Sequence, residues 1–543
     1  MSRNRLFSPL AFLLALALGP GISPQVNADA AAAAPATAAP SGVYYEIFVR
    51  AWYDTNGDGI GDLNGVTAKL DYLKSLGISG IWLMPINTAP SYHGYDVTDY
   101  YGINPQYGNE ADLQRLLDEA HKRGIAVTMD MVINHTSQVH PWFIAARDAA
   151  DPHHDWYTWA GPQADLGALS TASDSRIWHP LGKAHYLGDF GGGMPDLNYD
   201  NPAVRAEMIK VGRYWIAKGV DGFRLDAAKH IYDDFKARQH DPEIVAKNVA
   251  WWTEFHDAIA AVNPHVTLVG EVMAESPAQL APYLRPLGSI FDFPLAEQLI
   301  VSAKDERVGK LDALLKDTYD AYRSAVEAQG AAAAPFIDST FLSNHDQERV
   351  MSRLGGNLEH MRMAAAMLLT LPGRPYIYYG EELGMEGRKP DPNLREPMRW
   401  QRQPATSANS RAQDAPAGYG QSRWKPSSVH QGEAVSVQAE QDDPSSLLNT
   451  YRTLIGWRAQ VAALRDGDLQ LLATGNPSLL AYWRRAGAQR VLVVHNLSGQ
   501  PLSWKADGQV LPPHASVLLK SKPGVTLDGD RLSLPAYSTA VLQ

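Results

Sequence analysis

Short apolar runs and amphipathic stretches alternate along most of the chain. The run VYYEIFV, which begins at Val43, is followed by a polar loop, by Leu70, Leu73 and Leu76 at helical spacing, and by a second apolar run. The same order recurs, and the apolar runs predict eight strands: VYYEIFV, GIWLMP, IAVTMDMV, VDGFRLDA, VTLVGEV, SIFDFP, FIDSTFLSN and RPYIYYG. Strands that alternate with helices predict an α/β fold with a parallel sheet, and eight of them favour a closed (β/α)8 TIM barrel. An open doubly wound sheet is the alternative, but the glycine-rich phosphate turn typical of it does not follow the first strand.

Cap and stop residues mark the ends of the predicted helices. Asn64, Asn109 and Asn201 are predicted N-caps, and the proline after Asn201 occupies a first-turn position where proline is tolerated. The predicted stops are the glycines Gly77, Gly124 and Gly219. A further helix is predicted over residues 446–464.

Two long stretches interrupt this alternation, and the C-terminal part has a different pattern. The stretch after the third strand is long and rich in Trp, His, Asp and Gly, as expected of an inserted domain. A polar stretch rich in Gly, Ser and Pro covers 401–443, and LQLLAT, LLAYWRR, QRVLVVHNL and STAVLQ then predict short strands between turns. The predicted organisation is a signal peptide (1–28), a linker (29–41), the barrel in two parts (42–133 and 199–465), the inserted domain (134–198) and a C-terminal antiparallel β-sandwich (466–543).

The first residues have the pattern of a secretory signal peptide. Arg3 and Arg5 precede the apolar run LFSPLAFLLALAL, and Val26 and Ala28 supply small residues at the cleavage positions. A membrane anchor is the alternative, but prolines and glycines interrupt the run before the roughly 18 apolar residues that a span needs. We therefore expect a secreted or periplasmic protein, and an exported chain without cysteine fits a bacterial source.

Composition narrows the classes of function. Of the 543 residues, 45% are apolar and 20% are charged, as in soluble globular proteins. The net charge of −11 at pH 7 argues against nucleic acid or an anionic membrane as a partner, and we expect a monomer. The absence of cysteine excludes disulfides, thiol catalysis and zinc–thiolate sites.

Four carboxylates lie at the ends of predicted barrel strands. They are Asp130 on the third strand, Asp226 on the fourth, Glu271 on the fifth and Asp346 just past the seventh. One such residue could simply cap the next helix. Because the carboxyl ends of barrel strands all face one mouth, where barrel enzymes carry out their chemistry, the four together predict an active site.

The neighbours of two of these carboxylates suggest different roles. Arg224 lies two residues before Asp226, so both face the barrel interior, and the guanidinium is expected to lower the pKa of Asp226 and keep it ionised. Glu271 has apolar neighbours and no adjacent cation in sequence, so burial is expected to raise its pKa. One charged and one protonated carboxyl group are typical of glycoside hydrolysis. His93, Tyr95, His135 and His345 lie on loops at the same mouth and could bind sugar hydroxyls and a ring face.

The segment YDTNGDGIGDLNG has oxygen-bearing residues at every second position. Asp54, Asn56, Asp58, Asp62 and the Ile60 carbonyl predict a cage for a hard cation, and we expect calcium as cofactor. An EF-hand sensor is excluded, because that loop requires a Glu where this chain has a Gly and a helix on each side. A calcium-binding module is a weaker alternative, because the loop occurs once.

Several motifs together resemble one known family. DMVINH (130–135), MPDLN (194–198), GFRLDAAKH (222–230), GEV (270–272) and FLSNHD (341–346) are similar to the motifs of α-amylase-type glycoside hydrolases, with support from YYEIFVR and YHGYDVTDYY. The resemblance covers the chain from about residue 42 to its C-terminus. It implies a TIM barrel in which the insertion over 134–198 is the B domain beside the cleft. An inactive, sugar-binding family member would have lost a catalytic carboxylate, and all are present.

The resemblance implies a role for each motif residue. Asp226 would be the nucleophile, Glu271 the general acid and base, and Asp346 would hold ring hydroxyls of the sugar. The implied supporting residues are Arg224, which would orient Asp226; His135 and His345, which would bind hydroxyls; Tyr95, which would stack beneath the sugar; His93 beside it; Asp130 in support; and Lys229 and His230 on the leaving-group side.

The resemblance also bears on the activity and on bound ions. Lys229, His230 and Tyr92, which stands where exo-acting relatives carry Asp, favour endo-hydrolysis of α-1,4 bonds in starch and maltooligosaccharides. MPDLN is intermediate between subgroups, and an exo-acting α-glucosidase, an oligo-1,6-glucosidase or a transglycosylase of the trehalose synthase type is the alternative. Asn134 and Asp196, with the His230 carbonyl, match positions of a second calcium site for which no ligand from the inserted domain is identified. Arg224, Asn344 and Arg374 could form the chloride site of some amylases, and an ordinary strand-end charge at Arg374 is the alternative.

Overall fold

The computed structural model describes residues 42–172, 175–232, 241–330, 336–402, 420–428, 435–506, 511 and 514–543. The predicted signal peptide (1–28) and linker (29–41) lie outside the described residues. None of the helices in the described residues could span a lipid bilayer.

The strands follow the predicted apolar runs closely. In chain order they are β1 Val43–Ile47, β2 Ile78–Leu83, β3 Asn87–Thr88, β4 Asp99–Ile103, β5 Ala126–Met131, β6 Trp178–Leu181, β7 Ala184–Leu187, β8 Gly222–Leu225, β9 Thr267–Gly270, β10 Ser289–Phe291, β11 Ile337–Ser339, β12 Tyr376–Tyr378, β13 Asp468–Leu472, β14 Leu479–Ala486, β15 Gln489–Asn496, β16 Leu502–Lys505, β17 Val517–Lys520, β18 Thr526–Asp528, β19 Arg531–Leu534 and β20 Ser538–Leu542. FIDSTFLSN forms a shorter strand than predicted, Ile337–Ser339, because only an isolated bridge at Phe341 continues the pairing beyond it.

Eight of these strands form the predicted barrel. Their order is β11-β10-β9-β8-β5-β2-β1-β12, and every pairing is parallel. A parallel bridge between Phe341 and Tyr376 joins the two ends, and the Tyr376 backbone N–H donates to the Thr340 carbonyl at 2.7 Å. The barrel interior is filled by Tyr44, Trp82, Val269, Phe291, Phe341 and Tyr376, among others. Because side chains fill the barrel interior, a substrate can reach the carboxylates only at the end of the barrel where they lie.

Helices connect the strands along the chain. They are α1 Val49–Trp52, α2 Leu63–Ala68, α3 Leu70–Leu76, α4 Glu110–Lys122, α5 Pro141–Ala146, α6 Pro202–Ala217, α7 Pro242–Ala260, α8 Pro277–Leu287, α9 Phe293–Lys304, α10 Leu311–Glu327, α11 Val350–Arg353, α12 Leu358–Thr370, α13 Asp391–Leu394, α14 Val437–Glu440, α15 Leu447–Gln460 and α16 Ala462–Asp466, with short 3₁₀ turns at His154–Trp156 and Glu381–Leu383.

Two of the three predicted N-caps are confirmed and one is wrong. Asn109 forms a capping box at α4, and the Asn201 side chain accepts from Ala203 N at α6. Asn64 instead lies inside α2, which Asp62 caps by accepting from the Gly65 N–H at 2.7 Å. The helix predicted over 446–464 is two helices, because Val461 between them is extended. Gly77 ends α3 in the left-handed conformation, as predicted.

The long segment between β5 and α6 and the C-terminal residues complete the structure. The segment between β5 and α6 contains α5, a 3₁₀ turn and the antiparallel pair β6–β7. The C-terminal residues form an antiparallel sheet, β13-β14-β15-β20-β17, and a second sheet, β16-β19-β18. Apolar side chains from both sheets share one core that includes Trp483, Leu492, Trp504 and Leu532. The residue boundaries given above for the domains stay predictions.

Candidate active site

Arg224 is the centre of the site and contacts three carboxylates. Its Nη1 lies 2.8 Å from Asp130 Oδ1 and 2.6 Å from Asp226 Oδ1, and its Nη2 lies 2.8 Å from Glu271 Oε2. Arg224 leaves only 1% of its surface exposed. The alternation of side chains along β8 turns Arg224 and Asp226 toward the same side, and β5 and β9 flank this strand. One buried cation therefore holds together the carboxylates that the sequence placed at neighbouring strand ends.

The electrostatic contrast expected from the sequence is not found. Burial raises the pKa of Asp226 above its ordinary value, and Arg224 opposes this rise without reversing it, so the expected lowering is wrong. Burial also raises the pKa of Glu271, as expected, but Arg224 opposes that rise too, so Glu271 does have a cation beside it. The strand geometry explains the error, because β8 and β9 are adjacent and the guanidinium spans both.

Asp130 contacts three other side chains of the site. Its Oδ2 accepts from Trp82 Nε1 at 3.2 Å and from the Tyr95 hydroxyl at 3.1 Å, while its Oδ1 faces Arg224. Burial raises the pKa of Asp130 to about 7, even though Arg224 lies beside it. Asp130 therefore ties Tyr95, the predicted stacking residue, to the guanidinium that holds the two reactive carboxyl groups.

His345 lies between two carboxylates. Its Nδ1 is 2.6 Å from Glu46 Oε1, and its Nε2 is 3.0 Å from Asp346 Oδ2 and 2.6 Å from the Tyr95 hydroxyl. Burial opposes the positive charge, but Asp346 and Glu46 together raise the pKa of His345 to about 10. The ring stacks on Tyr95 at 5.5 Å. His345 is fully buried, so in this structure both of its ring nitrogens contact protein groups and not the solvent of the cleft.

Asp346 is held by a residue that the sequence did not reveal. Arg395 Nη2 lies 2.6 Å from Asp346 Oδ1, and Arg395 Nε donates to the His345 carbonyl at 3.0 Å. Desolvation raises the pKa of Asp346, but His345 and Arg395 outweigh it and hold that pKa well below its ordinary value. The side chain of Asp346 stays 45% exposed, so an ionised carboxylate faces the cleft.

Glu46 and Arg395 are the functional residues that sequence reasoning missed. Glu46 stands alone among apolar residues in β1, and such a buried charge was a usable signal. Arg395 gave no local signal, because it follows α13 in a polar segment far from the recognised motifs.

An aromatic wall stands beside Asp346. Tyr92 stacks on Trp424 with ring centroids 5.3 Å apart and planes 16° apart, and Phe48 packs edge-on against Trp424 at 5.7 Å. The Trp424 indole donates to the Arg395 carbonyl at 3.0 Å. Trp424 lies in residues 420–428, the described middle of the stretch over 401–443 that the sequence marked only as polar, and Gln421 of this piece pairs with Tyr53.

The remaining predicted residues lie near this group. His135 is buried, with Nε2 3.0 Å from the Tyr95 carbonyl and Nδ1 3.0 Å from Asn134 Oδ1, and burial lowers its pKa to about 4. His93 stacks on Tyr95 at 6.0 Å. His230 Nδ1 lies 3.2 Å from Asp189 Oδ2, and Lys229, half-buried, accepts at its carbonyl from Asn248 Nδ2.

The loop over residues 54–62 presents oxygen atoms, several of which already accept hydrogen bonds. Asp54 accepts from Gly57 N and Gly59 N, and Asp58 accepts from Ile60 N. Asp62 accepts from the backbone and hydroxyl of Thr55 and from Gly65 N. All the atoms that could bind a metal ion in this loop are oxygens, which fits calcium. Asp62, however, also caps helix α2. Within the described residues, no three acidic or histidine side chains are gathered as a metal cluster.

The two further ion sites expected from the resemblance differ in outcome. Asn134 Nδ2 donates to the His230 carbonyl, and Leu197 N, next to Asp196, donates to the Asn134 carbonyl at 2.9 Å, so the residues of the expected second calcium site lie near one another, while calcium itself stays a prediction. The expected chloride set is not assembled. Arg374 precedes β12 at the closed, amino-terminal end of the barrel, 4.8 Å from the Tyr44 ring, whereas Arg224 lies at the opposite end.

Comparison with known proteins agrees with this architecture. Residues 46–467 match the family model described as alpha amylase, catalytic domain, and residues 479–541 match the alpha-amylase SusG C-terminal domain. Alpha-amylase 3 of Dictyoglomus thermophilum is 37% identical over 92% of this chain and 93% of its own length. The 4-alpha-glucanotransferase of Thermotoga neapolitana is 34% identical over 88% of this chain and 99% of its own length. The crystal structure of alpha-amylase from H. orenii has a TM-score of 0.82 and 40% identity, covering 92% of this chain and 99% of that one.

Proposed function

Since this chain belongs to the α-amylase family of glycoside hydrolases, we propose that it cleaves internal α-1,4-glucosidic bonds of starch and maltooligosaccharides with retention of configuration. The observation that carries the proposal is the contact of Asp226 and Glu271 with the two terminal nitrogens of Arg224. Retaining glycosidases require two carboxyl groups about 5 Å apart, one on each side of the scissile bond. The shared Arg224 guanidinium holds both groups beside each other.

In the proposed reaction the two carboxyl groups act in sequence. Glu271 protonates the glycosidic oxygen while Asp226 attacks the anomeric carbon, which forms a covalent glycosyl ester and releases the leaving sugar. Water then attacks that carbon, Glu271 takes the proton from the water, and the ester bond to Asp226 breaks. Arg224 holds Oδ1 of Asp226 at 2.6 Å, and the described residues donate no hydrogen bond to its other oxygen, which is left for the attack.

Asp346 and its partners complete the site. The ionised carboxylate of Asp346, held by His345 and Arg395, would accept hydrogen bonds from ring hydroxyls of the sugar being cleaved. Tyr95, tied to Asp130 and His345 through its hydroxyl, would support the face of the same sugar. These donors and acceptors need not reorient during the reaction, because the protein already holds them in place.

The preference for endo-cleavage rests on the wall beside Asp346. Tyr92 and Trp424 present stacked aromatic rings rather than the carboxylate found at position 92 in the exo-acting pattern. Aromatic faces pack against sugar rings, so this wall favours a chain that continues past the cleaved residue. Lys229 and His230 would contact the sugars on the leaving-group side.

A product time course on soluble starch, maltose and isomaltose tests the proposal. Early loss of iodine staining with little free glucose is the expected result. Glucose as the first product from short substrates would contradict endo-cleavage. The Asp226→Asn variant should lose starch hydrolysis and keep nearly the same thermal unfolding, whereas activity within about tenfold of wild type would contradict the nucleophile assignment.

Transfer to a sugar acceptor is the second candidate function. It is favoured by the 34% identity to a 4-alpha-glucanotransferase over 88% of this chain. Transfer uses the same covalent intermediate and replaces water by a sugar hydroxyl. Products longer than the starting maltooligosaccharide, measured at high substrate concentration, distinguish transfer from hydrolysis.

We also propose one structural calcium ion in the loop over residues 54–62. Asp54, Asn56, Asp58 and the Ile60 carbonyl would supply oxygen ligands, and Asp62 would join them only by exchanging one of its present hydrogen bonds. The ion would stiffen the corner between α1 and α2. We further propose that the protein is secreted or periplasmic, that it is a monomer and that it acts on α-glucans.

A further inference from the structure

The residue that follows Asp226 has an unusual backbone conformation. Ala227 has a φ of 49°, in the left-handed region that residues other than glycine seldom occupy. Its N–H donates to Glu271 Oε2 at 3.0 Å. Backbone strain of this kind persists only where the surrounding structure imposes it, and it is common at functional sites. The strained residue therefore joins the two reactive carboxyl groups, because it follows one in the chain and contacts the other.

The backbone around Ala227 is held on both sides. Glu271 N donates to the Leu225 carbonyl at 3.0 Å, and Ala228 N donates to the Glu271 carbonyl at 3.0 Å, which extends the pairing of β8 with β9. The Ala227 carbonyl accepts from His230 N at 2.8 Å. These bonds keep the Ala227 N–H directed at the Glu271 side chain without any ordering during the reaction.

Two donors contact the carboxyl group of Glu271, and both lie on the same oxygen. Arg224 Nη2 is 2.8 Å from Oε2, the atom that also accepts from Ala227 N. In the part of the chain that the structure describes, no group donates to Oε1. An oxygen whose two lone pairs face N–H donors cannot also carry a proton, because that proton would point at a donor hydrogen. The proton of neutral Glu271 therefore belongs on Oε1.

We infer that Glu271 delivers its proton from Oε1, and that Ala227 is a positioning residue whose N–H keeps the proton off Oε2. The inference rests on the proposed function. In the first step the Oε1–H bond breaks and the proton passes to the glycosidic oxygen. The electron pair of the bond between that oxygen and the anomeric carbon stays with the leaving sugar. The negative charge left on Glu271 is stabilised at Oε2 by two donors that are already in place.

Burial and three charged side chains also act on the Glu271 carboxyl group. Burial raises its pKa, Arg224 opposes this rise, and Asp226 and Asp346 add to it. The Ala227 N–H lowers the pKa of Glu271, because a hydrogen bond to the ionised form stabilises that form. Loss of this N–H should therefore raise the pKa of Glu271, so that Glu271 keeps its proton to higher pH.

An amide-to-ester exchange tests the inference. Ala227→lactic acid, introduced into the full chain by nonsense suppression, removes the N–H and keeps the methyl group. We expect the alkaline limb of kcat/KM on maltopentaose to move up by about one pH unit. The rate on maltopentaose should fall by about tenfold, because the carboxylate that forms has lost a donor. On 4-nitrophenyl α-glucoside, whose leaving group needs little protonation, the loss should be less than about threefold.

Two further variants separate the N–H from its surroundings. Ala228→lactic acid is the matched control, because the Ala228 N–H donates to the main-chain carbonyl of Glu271 and not to its carboxyl group. It should leave the alkaline limb at the wild-type pH. Ala227→Gly keeps the N–H and tolerates a positive φ, so it should stay within about twofold of wild type on both substrates.

Neutron diffraction of the deuterated wild-type protein, below the alkaline limb, locates the proton without any variant. Deuterium on Oε1 of Glu271 is expected, and deuterium on Oε2 would overturn the inference. The positioning role is also wrong if Ala227→lactic acid leaves the alkaline limb unchanged or lowers the rates on both substrates equally. If the wild-type protein does not cleave α-1,4-glucans, the proposed function itself fails, and the neutron result still decides which oxygen carries the proton.

Discussion

Arg395 Nη2 lies 2.6 Å from Asp346 Oδ1, and the same arginine donates from Nε to the carbonyl of His345. One guanidinium thus fixes a carboxylate and the backbone just before it. Arg395 is almost fully buried and reaches the site from the segment that follows β12. This contact, together with His345, holds Asp346 ionised at the floor of the cleft.

Replacement of Arg395 by Met should therefore slow catalysis by about tenfold to a hundredfold, since a buried charge-assisted hydrogen bond is lost. The pKa of Asp346 is expected to rise from its depressed value, so the acidic limb of the activity profile should move to higher pH. Arg395→Lys keeps the charge and should recover part of the activity. The exposed Arg388 provides the control, and Arg388→Met should not shift the profile. An unchanged acidic limb in a folded Arg395→Met variant would contradict this role.

Glu271→Gln should reduce starch hydrolysis by about a thousandfold, because a general acid contributes on that order. Activated aryl glucosides need little protonation of their leaving group, so the variant should lose much less activity on them. Steady-state rates on both substrates make the comparison. Equal losses on the two substrates would rule out the acid role.

Asp130→Asn should move the alkaline limb of the activity profile to lower pH. Asp130 partly neutralises Arg224, which also contacts Glu271. Without that negative charge, Arg224 would lower the pKa of Glu271 more strongly, and Glu271 would lose its proton earlier as pH rises. kcat/KM measured across the pH range reports this limb. An alkaline limb at the wild-type pH would show that the three carboxylates are not coupled through Arg224.

Glu381 should make the protein less stable as pH rises. It is buried near α15, with Oε1 accepting from the Tyr451 hydroxyl at 2.7 Å, and burial raises its pKa from 4.5 to about 8. Between these two values the folded protein binds a proton that the unfolded chain has released, so this group's stabilising contribution falls with pH by at most about 1.4 kcal/mol per unit. Glu381→Gln should flatten the plot of melting temperature against pH from 4.5 to 8. Glu297→Gln, on an exposed residue, should not, and parallel curves for wild type and Glu381→Gln would refute the prediction.

Calcium should raise the melting temperature of the chelator-treated protein by a few degrees, because a ligand that binds only the folded state stabilises it by mass action. Asp58→Asn removes one of the proposed ligands and should reduce this shift, whereas Asp165→Asn on an exposed loop should leave it unchanged. Differential scanning calorimetry with and without calcium measures the effect. If calcium leaves the melting temperature of the wild-type protein unchanged, the proposed calcium ion in this loop is wrong.

The sequence determined the barrel and the residues at its mouth. Strands of period two, helices of period 3.6 and glycine stops are local properties, so they could be read without a structure. Asp130, Asp226, Glu271 and Asp346 could be placed together because the carboxyl ends of parallel barrel strands all face one side. The errors at Asn64 and in the strand FIDSTFLSN concern only element ends.

Only the tertiary structure decided how those residues are charged and held. Glu46 and His345 are 299 positions apart yet form a contact of 2.6 Å, and no local pattern encodes such a pair. Arg224 bridges two strands, which gives Glu271 a cation that its own neighbours in sequence lack. Arg374 lies at the opposite end of the barrel from Arg224, although Arg374 precedes β12 and Arg224 belongs to β8 of the same sheet. The physical reason is that a pKa depends on burial and on charges within a few ångströms, and both are set by packing between segments distant in the chain.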